Sequence, residues 1–446
     1  MPLSQYPYAE HHLHSISLST RLLRMPVPIG APDLIKFALP QIDDVTRGST
    51  KITMPTTKRV SFVSLPETNT PKDAADEVPT QHRALVFTST ATGLELKTVP
   101  TPRNPQLGTA LVRVEAATIL SYQGGIYNGT RQYPQIASPH SGGYSGVGRI
   151  AAVGADATTL RVGQFVFADC DVRARDGDGW FLVGTQTACD AGARRVNDEV
   201  YRDGAFAEYF TVPLENCHPL DEPRLTRELG YSVPDVAYMS YLLVAYGGLR
   251  DVGLEPGETV VIAPATGGFG GAGVLTALAM GARVVAMGRS EQELARLKAH
   301  AAAGYPGRDD MVETVRITDD EAGIAAQLRA LGTIDAVLDF SPPEAEGSCY
   351  LRCAIRSLRP KGRVSLMGFS TDFADHAVVM NSLCLRGKVM YERDDVSRFV
   401  KLLERGLFPR GKDFVDTKVF RLDQANEALD AAAEHAGCGR SVVFAP

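Results

Sequence analysis

The stretch Thr259-Val260-Val261-Ile262-Ala263-Pro264-Ala265-Thr266-Gly267-Gly268-Phe269-Gly270-Gly271-Ala272-Gly273-Val274-Leu275-Thr276-Ala277-Leu278-Ala279-Met280-Gly281-Ala282 decides how the rest of the chain is read. A β-branched apolar run enters it, glycines fall in the pattern G-x-G-x-x-G at Gly268, Gly270 and Gly273, and a helix of small residues leaves it. A strand that turns directly into a helix leaves the first helical N–H groups without partners. Those groups, at the positive end of the helix dipole, are a ready site for a pyrophosphate. Gly268 is expected to permit the tight turn, Gly270 the approach of backbone to pyrophosphate, and Gly273 the packing of helix on strand. The expected dinucleotide contacts are Thr266, Gly267, Gly268, Phe269, Gly270 and Gly271. The stretch is uncharged and long enough to pass a crude membrane-span filter, but Pro264 and the glycines break a spanning helix and no second hydrophobic span accompanies it.

Outward from the turn, strands are expected at Arg283–Met287, Val312–Ile317, Ile334–Phe340 and Gly362–Gly368, with helices at Glu291–Ala303 and Glu344–Leu358. Strands alternating with helices at this spacing specify an α/β fold with a doubly wound parallel sheet.

The chain of 446 residues is long enough for two or three domains, and its net charge of -6 leaves no electrostatic footprint for nucleic acid or an anionic membrane. Cys170, Cys189, Cys217, Cys349, Cys353, Cys384 and Cys438 are scattered without C-x-x-C clusters, which points to buried free thiols in a reducing compartment. Residues 1–80 differ from the remainder, with His11, His12 and His14 followed by proline-, threonine- and charge-rich sequence, and are expected to be a disordered extension. They lack the apolar segment of a secretory signal. Ser15–Arg24 resembles a weak mitochondrial presequence diluted by Glu10, Asp33, Asp43 and Asp44, so a cytoplasmic location is the expectation.

From Gln81 short strands with proline breaks, Ala84–Thr88, Leu94–Val99 and Ala110–Ala117, suggest a β-rich module. Four motifs then follow in order: G-x-G-R-I-x-x-V-G at Gly146–Gly154, L-R-V-G-Q-x-V at Leu160–Val166, G-A-F-A-E-Y at Gly204–Tyr209 and L-E-P-G-E-T-V-V-I at Leu254–Ile262. Arg359–Val364 and Gly439–Val443 continue the series. Taken jointly, these motifs resemble the medium-chain dehydrogenase/reductase superfamily over residues 81–446. The resemblance implies a Rossmann doubly wound sheet inserted in a GroES-like β-rich domain, with the site in the cleft between them. The implied divisions are 81–235 for the first part of the GroES-like catalytic domain, 236–384 for the Rossmann domain and 385–446 for the segment that completes the catalytic domain.

Departures from the family pattern narrow the expectation. Where the zinc enzymes carry their catalytic ligands, the order of this chain offers Leu120, then Tyr144 or, with a gap, His140, and then Ser240. Leucine, tyrosine and serine cannot build a Zn²⁺ site. The structural zinc lobe is likewise reduced to isolated Cys170 and Cys189. No metal is therefore expected, and the chain resembles the zinc-independent, quinone reductase- and enoyl reductase-like branch. The strand after the glycine turn ends Met287-Gly288-Arg289-Ser290, without the acid that accepts the ribose 2′-OH of NAD; Gly288, Arg289 and Ser290 instead suit a 2′-phosphate, making NADP(H) the expected cofactor. Ser290 with Glu293 also reads as a helix capping box. Without zinc, a tyrosine hydroxyl can polarise a carbonyl or enone and supply a proton, and Tyr122, Tyr127, His140 and Tyr144 are the candidates.

The expected activity is hydride transfer to a small hydrophobic carbonyl, enone or quinone. The alternatives are an alcohol dehydrogenase-like enzyme with a zinc site displaced from this alignment, and a nucleotide-binding homologue without turnover. Expected partners are a small-molecule substrate and a homodimer or homotetramer formed through the Rossmann edge near Ser382–Met390, with neither nucleic acid nor membrane.

Overall fold

A computed structural model describes residues 78–133, 138–185, 187–188, 190–370 and 376–446. The expected disordered extension lies, up to residue 77, outside the described residues, as does Cys189.

Six parallel strands form one sheet: Thr259–Ala263, Arg283–Gly288, Val312–Arg316, Ile334–Asp339, Leu358–Leu366 and Cys384–Gly387. Numbered along the chain, their spatial order is 3-2-1-4-5-6. The first strand is buried at every residue, as a central strand covered on both faces must be. The order reverses beside it, so the carboxyl ends of Thr259–Ala263 and Ile334–Asp339 flank the switch-point crevice where open α/β sheets bind ligands.

The second lobe is a seven-stranded sheet built around Thr109–Thr118, which pairs with Gly146–Val153, Tyr209–Pro213 and the C-terminal strand Arg440–Phe444. A smaller sheet joins Gln81–Phe87 to Leu94–Pro100 and His140–Ser141. The fold is thus a Rossmann-type parallel sheet carried within a GroES-like β-rich lobe. Among the described residues, no helix is long and apolar enough to cross a membrane.

Two sequence expectations need correction. The single helix Glu344–Leu358 is broken: Pro343–Ala345 is a 3-10 turn, Gly347 takes φ +80°, and the helix proper is Tyr350–Arg356. The following strand begins at Leu358 rather than Gly362 and contains Lys361 at φ +63°, a left-handed residue at an irregularity in pairing. The division at 384/385 falls inside the strand Cys384–Gly387, and the next helix, Arg393–Glu404, packs on Met239–Asp251 through Phe399 and Tyr246, whose rings are 5.6 Å apart. The chain rejoins the β-rich lobe only with the strand Asp416–Phe420.

A buried polar staple ties the hairpin Asp171–Arg173/Trp180–Leu182 to the segment after the last parallel strand. Tyr391 donates its hydroxyl to Asp169 Oδ1 at 2.6 Å, and Arg173 donates to the Tyr391 carbonyl at 2.6 Å and to Asp171 Oδ2 at 3.1 Å. Burial first, and the Asp169 charge second, push the Asp171 carboxyl well above the ordinary carboxylate range, with Arg173 pulling the other way. Because the folded pKa exceeds the unfolded one, the contribution of the protonated form is present at low pH and is lost as pH rises through the raised value. Asp171→Asn keeps an acceptor for Arg173 without this ionisation. Its melting temperature should therefore gain on the wild type between pH 5 and pH 8, whereas a constant difference across that range would contradict the assignment.

Candidate active-site cleft

The helix Gly268–Ala279 starts at the end of the first parallel strand with Gly267 as its N-cap, and no side chain caps it. Gly267 is exposed and a Cβ added there would meet nothing within 4 Å. The turn therefore presents free N–H groups at an open helix N-terminus, which fits a pyrophosphate. Thr266, Gly267, Gly268, Phe269, Gly270 and Gly271 all belong to this turn or to the first helical positions.

The structure redistributes the roles of the glycines. A Cβ at Gly270 would lie 2.1 Å from the Pro264 carbonyl oxygen and 2.7 Å from Ala265 Cα, so Gly270 is the residue that lets helix and strand touch. At Gly273, expected to serve that purpose, the nearest atoms are 3.4 Å away, an ordinary contact. Gly271 is equally tight, but against Cys438 of the loop leading into the C-terminal strand, whose place on this turn the sequence reading missed.

The next strand ends at Gly288, where a Cβ would lie 2.6 Å from Thr266 Cγ2. A side chain added there would require Thr266 to shift. Arg289 is exposed, and Ser290 caps the helix Glu291–Gly304 by accepting from the Glu293 N–H at 3.3 Å. The reciprocal half of the expected capping box is replaced: Glu293 pairs with Arg296 at 2.8 Å and Arg440 at 3.7 Å.

The four acid candidates separate into two groups. Tyr122 and Tyr144 come together with Tyr133: the Tyr144 hydroxyl donates to Tyr133 at 3.4 Å, and the rings of Tyr122 and Tyr133 are 6.3 Å apart. Burial pushes both the Tyr122 and the Tyr144 phenols far above their usual value, and neighbouring tyrosines add to the shift. At neutral pH each is a hydroxyl that can donate, not a phenolate that can accept a proton. Tyr127 and His140 instead pack on Phe87, at ring separations of 5.6 and 5.5 Å. Tyr127 accepts the Gly143 N–H at 2.9 Å, and burial raises its phenol to about 12. His140 is buried and lines a separate cavity of about 350 Å³ with His82, Arg202 and Asp203.

Tyr241, on the helix Met239–Asp251, joins the tyrosine group to the glycine turn and was not anticipated from sequence. Its hydroxyl accepts from the Ser121 N–H at 3.2 Å, and its ring lies 5.0 Å from Phe269, which stacks on Phe340 at 6.0 Å. Arg131 sits 4.5 Å above the Tyr122 ring and 3.9 Å from Glu344, just beyond the fourth parallel strand. Aromatic side chains from both lobes thus meet beside the glycine turn. A strictly helical period within an otherwise fully apolar segment hides such a residue as core, and the only cue at Tyr241 was its place next to Ser240.

At the family's zinc positions, Leu120 is buried and Ser240 Oγ is buried without a hydrogen-bond partner. Among the described residues, no three His, Cys, Asp or Glu side chains gather in a way that could hold a metal. A leucine and a serine do not supply a Zn²⁺ donor set.

Fold and cleft together define a two-lobed α/β protein with an open dinucleotide turn facing a β-rich lobe. Residues 106–222 match the alcohol dehydrogenase GroES-like domain family. The chain is 26% identical over 378 residues to an NAD-dependent alcohol dehydrogenase of Sulfurisphaera tokodaii, covering 81% of this chain and 99% of that one. It is 24% identical over 342 residues to alcohol dehydrogenase 2 of Caenorhabditis elegans, covering 74% and 88%. Among solved structures, a thermostable alcohol dehydrogenase from Pyrobaculum aerophilum superimposes with a TM-score of 0.60 at 21% identity, covering 82% of this chain and all of that one. A crotonyl-CoA carboxylase/reductase superimposes with a TM-score of 0.64 at 16% identity, covering 82% and 89%. The GroES-like match and the alcohol dehydrogenase relatives support the resemblance to the medium-chain dehydrogenase/reductase superfamily.

The two glycines make a direct comparison. Gly270→Ala should lose about 1–3 kcal/mol by overpacking against immobile backbone, whereas Gly273→Ala should be neutral or gain up to about 1 kcal/mol from helix propensity. Thermal unfolding of the two variants checks this, and equal losses would return the packing role to Gly273.

Proposed function

We propose that the protein is a zinc-independent, NADPH-dependent oxidoreductase that reduces a small hydrophobic carbonyl, enone or quinone. The observation that carries the cofactor choice is the end of the second parallel strand. Gly288 packs on Thr266 and offers no acid to meet a ribose 2′-OH, and Arg289 is exposed to pair with a 2′-phosphate. The Sulfurisphaera tokodaii relative is named as NAD-dependent, so the reading departs from that relative in its cofactor.

When bound, the nicotinamide supplies hydride from its C4 position. The chain's own residues would do the rest. Gly267–Gly271 would hold the pyrophosphate on open N–H groups, and Phe269 and Phe340 would narrow the crevice around the nicotinamide half. Tyr122 or Tyr144, kept protonated by burial, would donate a hydrogen bond to the substrate oxygen as negative charge develops on it. The aromatic lining favours a flat conjugated substrate. Tyr127 and His140 remain candidates only through movement of the wall formed by Phe87.

An assembly through the sheet edge follows from the same reading. The edge strand Cys384–Gly387 is accompanied by Val379 and Met380, which are 80% and 76% exposed, and a second copy forming a homodimer would cover them.

Arg289→Asp tests the cofactor assignment. NADPH binding should weaken by about tenfold or more, the equivalent of one charge-assisted contact, while NADH binding holds or improves. Equal loss for both nucleotides would sink it. Metal analysis of the purified protein is the companion measurement: zinc bound one per chain and required for turnover would instead establish the alcohol dehydrogenase reading.

A further inference from the structure

Asp339 ends the fourth parallel strand at the crevice and is wholly buried. No cation pairs with it among the described residues, which makes it a costly group to place there. Its surroundings show what it does. Oδ1 accepts from the Ser341 N–H at 3.0 Å and from the Ser341 hydroxyl. The Ser341 oxygen in turn meets the Tyr350 hydroxyl at 2.5 Å, so that Tyr350 donates into the chain that ends on the carboxylate. Oδ2 has no hydrogen bond of normal length; it faces Gly368, where a Cβ would lie 2.7 Å from it, and the Gly368 N–H stabilises it only from longer range.

The same residues fix two segments of the crevice wall. Between Asp339 and Ser341, Phe340 donates its N–H to the Ala263 carbonyl at 2.8 Å and stacks on Phe269 of the glycine turn. Beside them, Met367 donates its N–H to the Asp339 carbonyl at 3.1 Å and Phe369 to the Ser341 carbonyl at 2.8 Å. Main-chain bonds therefore join the chain ends of the fourth and fifth strands next to the first strand's turn, and the Asp339 carboxylate braces Ser341, which makes one of them. Through Tyr350 the network also reaches the field of Arg289, the residue assigned to the 2′-phosphate.

We propose that Asp339 is a positioning residue for the cofactor: with Ser341, Tyr350 and the Gly368 backbone it clamps Phe340–Ser341 and Met367–Phe369 as the two walls that hold the nicotinamide half. The proposal rests on the dinucleotide reading of the Gly267 turn. A purely structural role would be served as well or better by an apolar side chain, since a buried ionisable group seldom adds net stability. The carboxylate accepts both Ser341 donors on Oδ1, whereas the protonated acid has lost one of its acceptor sites, so Ser341, whose carbonyl holds Phe369, is braced more tightly when Asp339 is ionised.

Two consequences have opposite signs. Burial raises the Asp339 carboxyl to about 6, against the pull of Ser341 and Gly368, and the ionisable or charged groups its network meets are Tyr350 and Arg289. Its folded pKa lies above the unfolded value, so its contribution to stability is present at low pH and falls as pH rises through about 6. Cofactor affinity should rise over the same interval.

Fluorescence titration with NADPH from pH 5 to pH 8, with melting temperatures in parallel, on the full-length wild type and on Asp339→Asn and Asp339→Ala, tests this. The Ala variant should bind NADPH about tenfold more weakly, a cost of about 1.4 kcal/mol, and the Asn variant should recover most of that. The ratio of wild-type to Asn affinity should climb through pH 6 while the wild-type melting temperature falls relative to Asn; taking the ratio cancels titration of the nucleotide's own phosphate. If the Ala variant does not fold, Tyr350→Phe, which removes one hydroxyl, should still weaken NADPH binding and shift the inflection. Wild-type-like binding by the Ala variant, or by Tyr350→Phe in its place, or a flat affinity ratio, would overturn the positioning role. A wild type that binds neither NADPH nor NADH would overturn the dinucleotide reading itself, and the clamp with it.

Discussion

The contact on which the structure depends is that between Gly270 and the backbone of Pro264 and Ala265. A helix that begins this close to the strand it follows leaves no volume for a β-carbon, and in exchange its first N–H groups open at the carboxyl edge of the sheet. The same tight turn receives Tyr241 against Gly268 and Cys438 against Gly271. Three remote parts of the chain thus meet on one stretch of bare backbone: the parallel sheet, the helix that enters it and the loop that returns to the β-rich lobe. Substituting any of these glycines moves an interface between elements, not only a local conformation.

Aromatic packing carries this arrangement across the cleft. Tyr241 bridges Ser121 to Phe269, and Phe269 stacks on Phe340, so the floor of the β-rich lobe and the crevice of the sheet share a continuous row of rings. In such surroundings a phenol is expensive to ionise. Burial therefore keeps the Tyr122 and Tyr144 side chains as neutral hydroxyls. At the margin Arg131 lies between the Tyr122 ring and Glu344.

Much of this architecture was legible in the chain because its parallel strands are short apolar runs bounded by glycine and charge. Thr259–Ala263, Arg283–Gly288 and Ile334–Asp339 were placed within a residue or so for that reason. The helices Met239–Asp251 and Glu321–Ala330 were harder: the first is buried almost all round and shows no polar face, and the second opens on a cap at Asp320 that resembles a loop. The grouping of the tyrosines was invisible. Tyr122, Tyr127 and Tyr144 sit in one polar, glycine-punctuated run, and only the pairing of Gln81–Phe87 with His140–Ser141 draws Phe87 under Tyr127 and away from Tyr122. Long-range strand pairing, which leaves no local pattern, decided which hydroxyls share the cleft.

A shared fold leaves cofactor choice to very few atoms. The parallel sheet, the open helix N-terminus and the pyrophosphate geometry serve NAD and NADP alike, because both present the same diphosphate to the same N–H groups. Discrimination is confined to the ribose beyond the second strand, where one oxygen or one phosphate must be recognised. At that point the strand ends on Gly288, which carries no acid and packs on Thr266, and the neighbouring side chain is the exposed Arg289. Replacing one side chain beside an open ribose costs the fold almost nothing while reversing the charge that a 2′-phosphate meets, so likeness at about a quarter identity does not decide the cofactor.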